Sequence, residues 1–265
     1  MSVINTNVKS LVAQNAMSVN SRSQDTAMQQ LSTGMRINAA SDDAAGLAIA
    51  SRMTSQIRGL DQAVRNANDG ISMLQTADSA LATVSNMLQR QHELSVQHAN
   101  GTYNSDDRAS LLDEFDALSD EIDRIQDGTQ FAGNDLFSPT PVAFQVGTVS
   151  SMTASIENQI TASLAAPVAD TTLLDIEESG TISAALIAVN DSRSAIGATV
   201  NRLTFAADNA ASVSQNMSAS RSRIQDTDYA KASSELARTQ IIAQASTAML
   251  AQANQSSQGV LALLK

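Results

Sequence analysis

Apolar side chains, with a few polar ones among them, recur every three or four residues from 50 to 95. A spacing near 3.5 residues is typical of a helix that packs in a coiled-coil-like seam. The seam positions are Ala50, Met53, Ile57, Leu60, Val64, Ala67, Ile71, Leu74, Asp78, Leu81, Ser85, Leu88, His92 and Ser95. Ser41 is a suitable N-cap, with Asp42 and Asp43 in the first turn, so the pattern predicts a helix over about 42–99.

Two further helices are predicted from the same period. The segment NGTYNS (100–105) interrupts the first helix, and a second is expected from the cap Ser105 to Asp127–Gly128, folded back antiparallel. A third is expected from about Thr181. Their stripes are Leu111, Phe115, Leu118, Ile122 and Ile125, then Ile182, Leu186, Val189, Arg193, Ile196, Val200 and Leu203. We expect the polar seam residues Asp78 and Arg193 to fix the register between helices.

Between the second and third helices the pattern changes to alternation. Apolar residues alternate with polar ones at Val142, Phe144 and Val146, and again at Met152, Ala154 and Ile156. With residues 147–151 as the turn, the alternation predicts a β-hairpin. The predicted fold class is therefore mostly α, a long antiparallel coiled-coil-like helical rod with one small β-hairpin.

Both ends of the chain carry helical stripes too weak to be stable alone. The N-terminal positions are Ile4, Val8, Leu11, Val12, Val19 and Leu31. Near the C-terminus Ile242, Met249 and Leu263 share one seven-residue track, with Val260 beside it and Leu264 following. Because helical stability comes mostly from packing, both ends need partners. Self-association is the simplest source, and the assembly residues predicted are Ile4, Val8, Leu11, Ile242, Met249, Val260, Leu263 and Leu264.

Composition narrows the chemistry that this chain could perform. The 265 residues carry a net charge of −11 and no cysteine, so disulfides, thiolate catalysis and Cys-based zinc sites are excluded. The acidic balance argues against nucleic acid, and no basic run would hold an anionic membrane. No apolar stretch reaches the ~18 residues of a membrane span, and the first residues lack the apolar core of a signal peptide. His92 and His98 have no metal-site spacing. We expect no cofactor and no enzymatic activity.

Long blocks of the sequence resemble bacterial flagellin. They are LSTGMRINAASDDAAGLAIASRM (31–53), IRGLDQAVRNANDGIS (57–72), EIDRIQDGTQFAGNDLF (121–137) and TDYAKASSELARTQIIAQASTAMLAQANQSSQGVLALLK (227–265). The resemblance implies paired terminal helices in the inner tube of a filament, made of residues 1–40 and 223–265. It implies an outer rod formed by residues 41–180, with the hairpin, and 181–222, with the third helix. Only residues 159–180 occupy the place of the large outer domains of the family, so the chain resembles a short form.

The same resemblance implies a function and a set of partners. The protein would leave the cell unfolded through the flagellar type III apparatus and polymerise outside it, as the extracellular filament used for swimming. Its partners would be further copies of itself, an export chaperone, and the filament cap and hook-junction proteins. Two alternatives remain open, a hook–filament junction protein and a secreted flagellin-like adhesin. Junction proteins lack the run DDAAGLAIA that stands at 42–50, and an adhesin would need a binding module.

Immune recognition is also implied by the resemblance. Flagellins sensed by a vertebrate Toll-like receptor share a patch that reads QRQHELSVQ here (89–97), so receptor contacts are expected at Gln89, Arg90, Leu94 and Glu114. His92 and Ser95 replace the usual Arg and Ala. Recognition is expected to survive in weakened form, because the anchoring Arg90 and Leu94 remain. Ser41 replaces the usual Lys within 29–50, the segment that corresponds to the one plant receptors recognise.

Overall fold

The computed structural model describes residues 6–137, 142–147, 151–154 and 176–262, without the side chains of 151–154, 176–179 and 256–262. Its helices are α1 (Val8–Thr33), α2 (Ala44–His98), α3 (Ser105–Gly128), α4 (Ile176–Gln225) and α5 (Tyr229–Ala262). Its strands are β1 (Gln130–Phe131), β2 (Asn134–Asp135), β3 (Val142–Gln145) and β4 (Ser151–Ala154). The predicted fold class is confirmed: the chain is mostly α, with a small hairpin and paired terminal helices.

The predicted starts of two helices are corrected by their capping bonds. Asp43, and not Ser41, caps α2, because its Oδ1 accepts from the Gly46 N–H at 2.9 Å. Asp42 lies before the helix, where its Oδ2 accepts from the Ala39 and Asn38 N–H groups, and these bonds lower the pKa of Asp42. α3 is capped by Asn104 in a capping box with Asp107, so Ser105 is its first helical residue.

The chain divides into two compact units. Unit 1 comprises Met1–Ser55 and Asn216–Lys265, and unit 2 comprises Gln56–Gln215. Unit 1 contains the helices α1 and α5, and unit 2 holds the hairpins. The domain boundaries implied by the flagellin resemblance stay a prediction.

The core of unit 2 is built from α2, α3 and α4, with two residues that follow β2. Its buried members are Ala67, Met73, Leu74, Ala77, Leu81, Val84, Leu88, Ile122, Leu136, Phe137, Ala185, Val189, Ile196 and Leu203. The predicted seam fails near the end of α2, where His92 is exposed while Gln91 and Leu94 are buried. Gln91 is tolerated there because its Nε2 donates to Ser119 Oγ at 2.8 Å.

Polar bonds across unit 2 fix the register of its helices. Arg193 Nε donates to Asp78 Oδ1 at 2.8 Å, as predicted from the polar seam positions. Ser214 Oγ donates to Asp61 Oδ1 at the same distance. Because 78 meets 193 and 61 meets 214, α2 and α4 run antiparallel.

The predicted hairpin is confirmed in the described residues. β3 and β4 pair antiparallel from Val142↔Ala154 to Gln145↔Ser151, so Ser151 belongs to a strand and not to the turn. Val146 lies just beyond β3, and Ile156 is outside the described residues. A second hairpin, β1–β2, was not predicted, because two-residue strands are too short to show alternation. Its turn is Ala132–Gly133, both with positive φ.

The hairpin β3–β4 explains the run NANDG (66–70), which contains poor helix formers in the middle of α2. A Cβ on Gly70 would lie 2.9 Å from the Phe144 ring, closer than such contacts allow. Asn66 Nδ2 donates to the Gln145 carbonyl at 3.0 Å. Glycine and asparagine are therefore present at this point of α2 to receive the hairpin.

We expect Gly70→Ala to destabilise unit 2, although the same change in an ordinary helix stabilises by about 1 kcal/mol. The reason is the Phe144 ring, which must move to admit the new methyl group. Thermal or urea unfolding measures the effect. In a Phe144→Ala background the clash is absent, and Gly70→Ala should then stabilise. The same sign in both backgrounds would contradict the assigned contact.

Candidate assembly surface

The terminal helices α1 and α5 pack against each other in unit 1, in antiparallel directions. Asn20 Nδ2 donates to the Thr239 carbonyl at 2.7 Å in a buried position, and Asn7 Nδ2 donates to the Ala253 carbonyl at 3.3 Å. Residues near the start of α1 therefore meet residues near the end of α5.

A short backbone clamp joins the other end of this helix pair. Gly34 ends α1 in the left-handed region, with φ 71°, and its carbonyl accepts from the Thr227 N–H at 3.0 Å. The Arg36 N–H donates to the Gln225 carbonyl at 2.7 Å, and Arg36 Nη2 donates to the Ile224 carbonyl at 2.7 Å. The segments that enter α2 and leave α4 are thus held together beside the helix pair.

The most deeply buried residues on the face where α1 and α5 meet are small or polar. In the described side chains, the buried residues of α1 are Asn20 and Ala27, and those of α5 are Ala232 and Thr239. Small residues let the two backbones approach closely, but they bury little apolar area. The contact between these helices of 26 and 34 residues therefore leaves much of their apolar surface uncovered.

Some large apolar side chains of the same helices are half-buried (Met17, Leu31, Leu236 and Leu250), but others are exposed. Their exposed fractions range from 39% to 67%. They are Val8, Leu11, Val12, Val19, Met28, Ile241, Ile242 and Met249. Exposed apolar residues are common singly, but a row of them along two paired helices indicates a surface that binds protein.

Part of this row lines an open groove between the two helices, of about 740 Å³. Val8 and Val12 of α1 face Ile242 and Met249 of α5 across it, and Lys9 is the one charged residue of its lining. We call this the terminal groove. Its apolar lining suits another apolar helix face.

The predicted assembly residues fall into three groups in the structure. Val8, Leu11, Ile242 and Met249 are exposed on the paired helices. Ile4, Leu263 and Leu264 lie outside the described residues. The backbone of Val260 lies in α5, but its side chain is not among those described. The prediction omitted Val12, the most exposed apolar residue of α1, and Ile241. Both residues are apolar and directly adjoin a predicted position in the sequence, and this could have identified them.

The predicted receptor contacts lie in unit 2, on α2 and α3. Arg90 bridges two carboxylates, with Nη2 2.8 Å from Glu114 Oε1 and Nη1 3.2 Å from Glu93 Oε2. The hydrogen bond to Glu114, and then that to Glu93, raises the pKa of Arg90. Gln89, Arg90 and Glu114 are accessible, but Leu94 is only 1% exposed. A partner could therefore touch the ion pair directly but not the Leu94 side chain.

Other chemistry has little support in the described part of the chain. No helix there has both the length and the apolarity needed to cross a bilayer. No three acidic or histidine side chains among the described residues come together as metal ligands. Long paired helices that leave a row of apolar side chains exposed are typical of a helical structural protein.

Family comparisons place the chain within that class. The pattern described as "Bacterial flagellin N-terminal helical region" matches residues 4–141, and "Bacterial flagellin C-terminal helical region" matches 180–264. The chain belongs to the bacterial flagellin family. The family consists of structural proteins and not of enzymes, and its place is the extracellular filament of the flagellum.

Several relatives match over nearly the whole chain. A flagellin of Halalkalibacterium halodurans is 45% identical, with 99% of this chain and 100% of the relative covered. A flagellin of Bacillus subtilis is 39% identical, with 99% of both chains covered. The flagellar filament 33 kDa core protein of Treponema phagedenis is 37% identical over 99% of this chain and 100% of its own.

Proposed function

We propose that this protein is the subunit of the flagellar filament and that it polymerises through α1 and α5. The observation that carries the proposal is the open apolar groove between these helices. Their most deeply buried residues are small or polar, while Val8, Val12, Ile242 and Met249 line the terminal groove and stay exposed. In a polymer, the terminal helices of neighbouring copies cover those side chains and complete a core that one chain leaves unfinished.

The same packing supports export in an unfolded state. The terminal helices bury few residues against each other and so have little stability of their own. They can remain unfolded during passage through the type III apparatus and fold on assembly. Before export, a chaperone that covers the apolar C-terminal segment prevents early polymerisation. At the growing end and at the base, the cap and hook-junction proteins meet the same surface.

Filament growth separates this proposal from its alternatives. Purified protein incubated with short filament seeds should grow into filaments micrometres long, visible by electron microscopy. A junction protein or an adhesin would give monomers, or stubs that stop growing. Relatives named as flagellin match this chain from end to end, which favours the subunit over both alternatives.

We further propose that the exposed surface around Arg90 and Glu114 is the contact for the flagellin-sensing Toll-like receptor. An ion pair that two helices hold in place presents charge without a large loss of side-chain entropy. Gln89 lies beside it. Leu94, being buried, supports α2 beneath the contact instead of meeting the receptor.

Exchanging the two charges tests this contact. The double variant Arg90→Glu, Glu114→Arg keeps an ion pair between α2 and α3 but reverses the charge at each position. We expect unfolding to be nearly unchanged and receptor activation in a reporter cell to fall about tenfold or more. A variant that activates the receptor like the parent would show that the receptor does not read this pair.

A further inference from the structure

Met249 is the one sulfur-containing side chain in the lining of the terminal groove. It is 65% exposed, and it shares the groove with Val8, Val12 and Ile242. Its thioether is therefore open to small solutes in the free chain. The same atom would be covered once another copy fills the groove.

Other methionines of the chain provide natural comparisons. Met28 is 52% exposed on α1, but it does not line the groove. Met73 is 5% exposed in the core of unit 2. Accessibility to a solute therefore predicts similar reactivity for Met249 and Met28 and much lower reactivity for Met73. Position in the groove distinguishes Met249 from Met28.

The chemistry that such a position permits is oxidation of the thioether. A sulfur lone pair attacks one oxygen of hydrogen peroxide, the S–O bond forms and the O–O bond breaks. Sulfur loses two electrons. The second oxygen of the peroxide leaves as hydroxide and takes the proton from the transferred oxygen, which gives water. The product, a sulfoxide, is polar and no longer suits an apolar surface.

We propose that Met249 is an oxidation site whose sulfoxide prevents a free subunit from joining the filament. The inference rests on the proposed function, because it takes the groove as part of the assembly surface. A sulfoxide in the covered groove must be desolvated among Val8, Val12 and Ile242. The few hydrogen-bond donors of the lining, on Lys9, Ser246 and Gln252, offset this cost only in part. Subunits already in the filament are protected, because their groove is filled. A hydroperoxide therefore stops growth without dissolving existing filaments.

A competition within one sample tests the proposal without any substitution. The protein is partially oxidised with hydrogen peroxide, the peroxide is removed, and filament seeds are added. Filaments and unassembled protein are then separated and analysed by mass spectrometry of their peptides. We expect the sulfoxide at Met249 to be about tenfold depleted in the filaments relative to the unassembled protein. The sulfoxide at Met28 should be equally distributed. Equal distribution at Met249 would overturn the proposal.

A pair of matched variants supplies the second measurement. Met249→Leu and Met28→Leu are each compared with their own untreated sample, so that any change in basal growth cancels. Peroxide should slow growth of the parent and of Met28→Leu by about tenfold, and it should have little effect on Met249→Leu. Treatment of the oxidised parent with methionine sulfoxide reductases should restore its growth rate. If peroxide slows the parent and both variants equally, Met249 is not the oxidation site that stops growth, although the proposed function stands. If untreated parent protein does not grow on seeds, the proposed function fails, and this inference fails with it.

Discussion

We expect a chain that ends at Thr227 to keep unit 2 folded and to lose its ability to polymerise completely. The truncation removes α5 together with its cap, since Asp228 Oδ1 accepts from the Ala230 N–H at 2.9 Å. No described side chain of α5 belongs to the core of unit 2, so we expect that core to be unaffected. Without Thr239 and Ala232, α1 has no partner, and half of the terminal groove is gone. Seeded growth with electron microscopy measures the loss.

Circular dichroism provides the control for the truncated chain. Its thermal transition should stay cooperative, which shows that unit 2 is folded. The helical signal should fall by more than the residues of α5 alone account for, since α1 loses the helix that it packs against. Extension of normal seeds by the truncated chain would contradict the role assigned to α5.

Val12→Asp is expected to block polymerisation with almost no effect on the fold of the single chain. Val12 is 65% exposed, so the carboxylate stays hydrated in the monomer. In the filament the groove is covered, and burial of the carboxylate costs several kcal/mol even with Lys9 one turn away, because desolvation of two charges can exceed their attraction. A cost of about 3 kcal/mol at each added subunit raises the critical concentration more than a hundredfold. Sedimentation of filaments at increasing protein concentration measures it.

Val12→Leu is the matched control for that variant. It keeps the position apolar and should assemble within a few fold of the parent. As monomers, both variants should have the same unfolding temperature as the parent. If Val12→Asp polymerises as well as Val12→Leu, residue 12 is exposed to water in the filament and the terminal groove is not an interface.

Much of the fold could be predicted because its long helices have a strict period. The bounds predicted for α2 differ from those observed by two residues at its start and one at its end. The errors arose where one local bond decided the outcome. Asp43 competes with Ser41 for the same role as cap, and only the path of residues 37–43 selects between them. The spacing placed His92 in the seam, but Gln91 enters the core instead, because its amide has a partner in Ser119 on α3.

The candidate site was only partly predictable for a different reason. Leu94 and Val12 are similar residues in similar helical patterns, yet one is buried and the other is exposed. The difference depends on whether the same chain supplies a packed neighbour. α3 and α4 supply one for α2, whereas α5 meets α1 on Asn20 and Ala27 and leaves Val12 outside. Periodicity identifies the apolar face, but tertiary pairing decides which faces remain for another copy.

Reactivity of a single cysteine at position 12 tests the central claim most directly. The natural chain contains no cysteine, so Val12→Cys introduces one thiol, similar in size and apolar character to the side chain it replaces. Its rate of labelling by a maleimide is measured in intact filaments and again after the same filaments are dissociated into subunits. If neighbouring copies cover the terminal groove, labelling is at least about tenfold slower in the filament. Equal rates in long, intact filaments would contradict the claim that α1 and α5 form the interface between subunits.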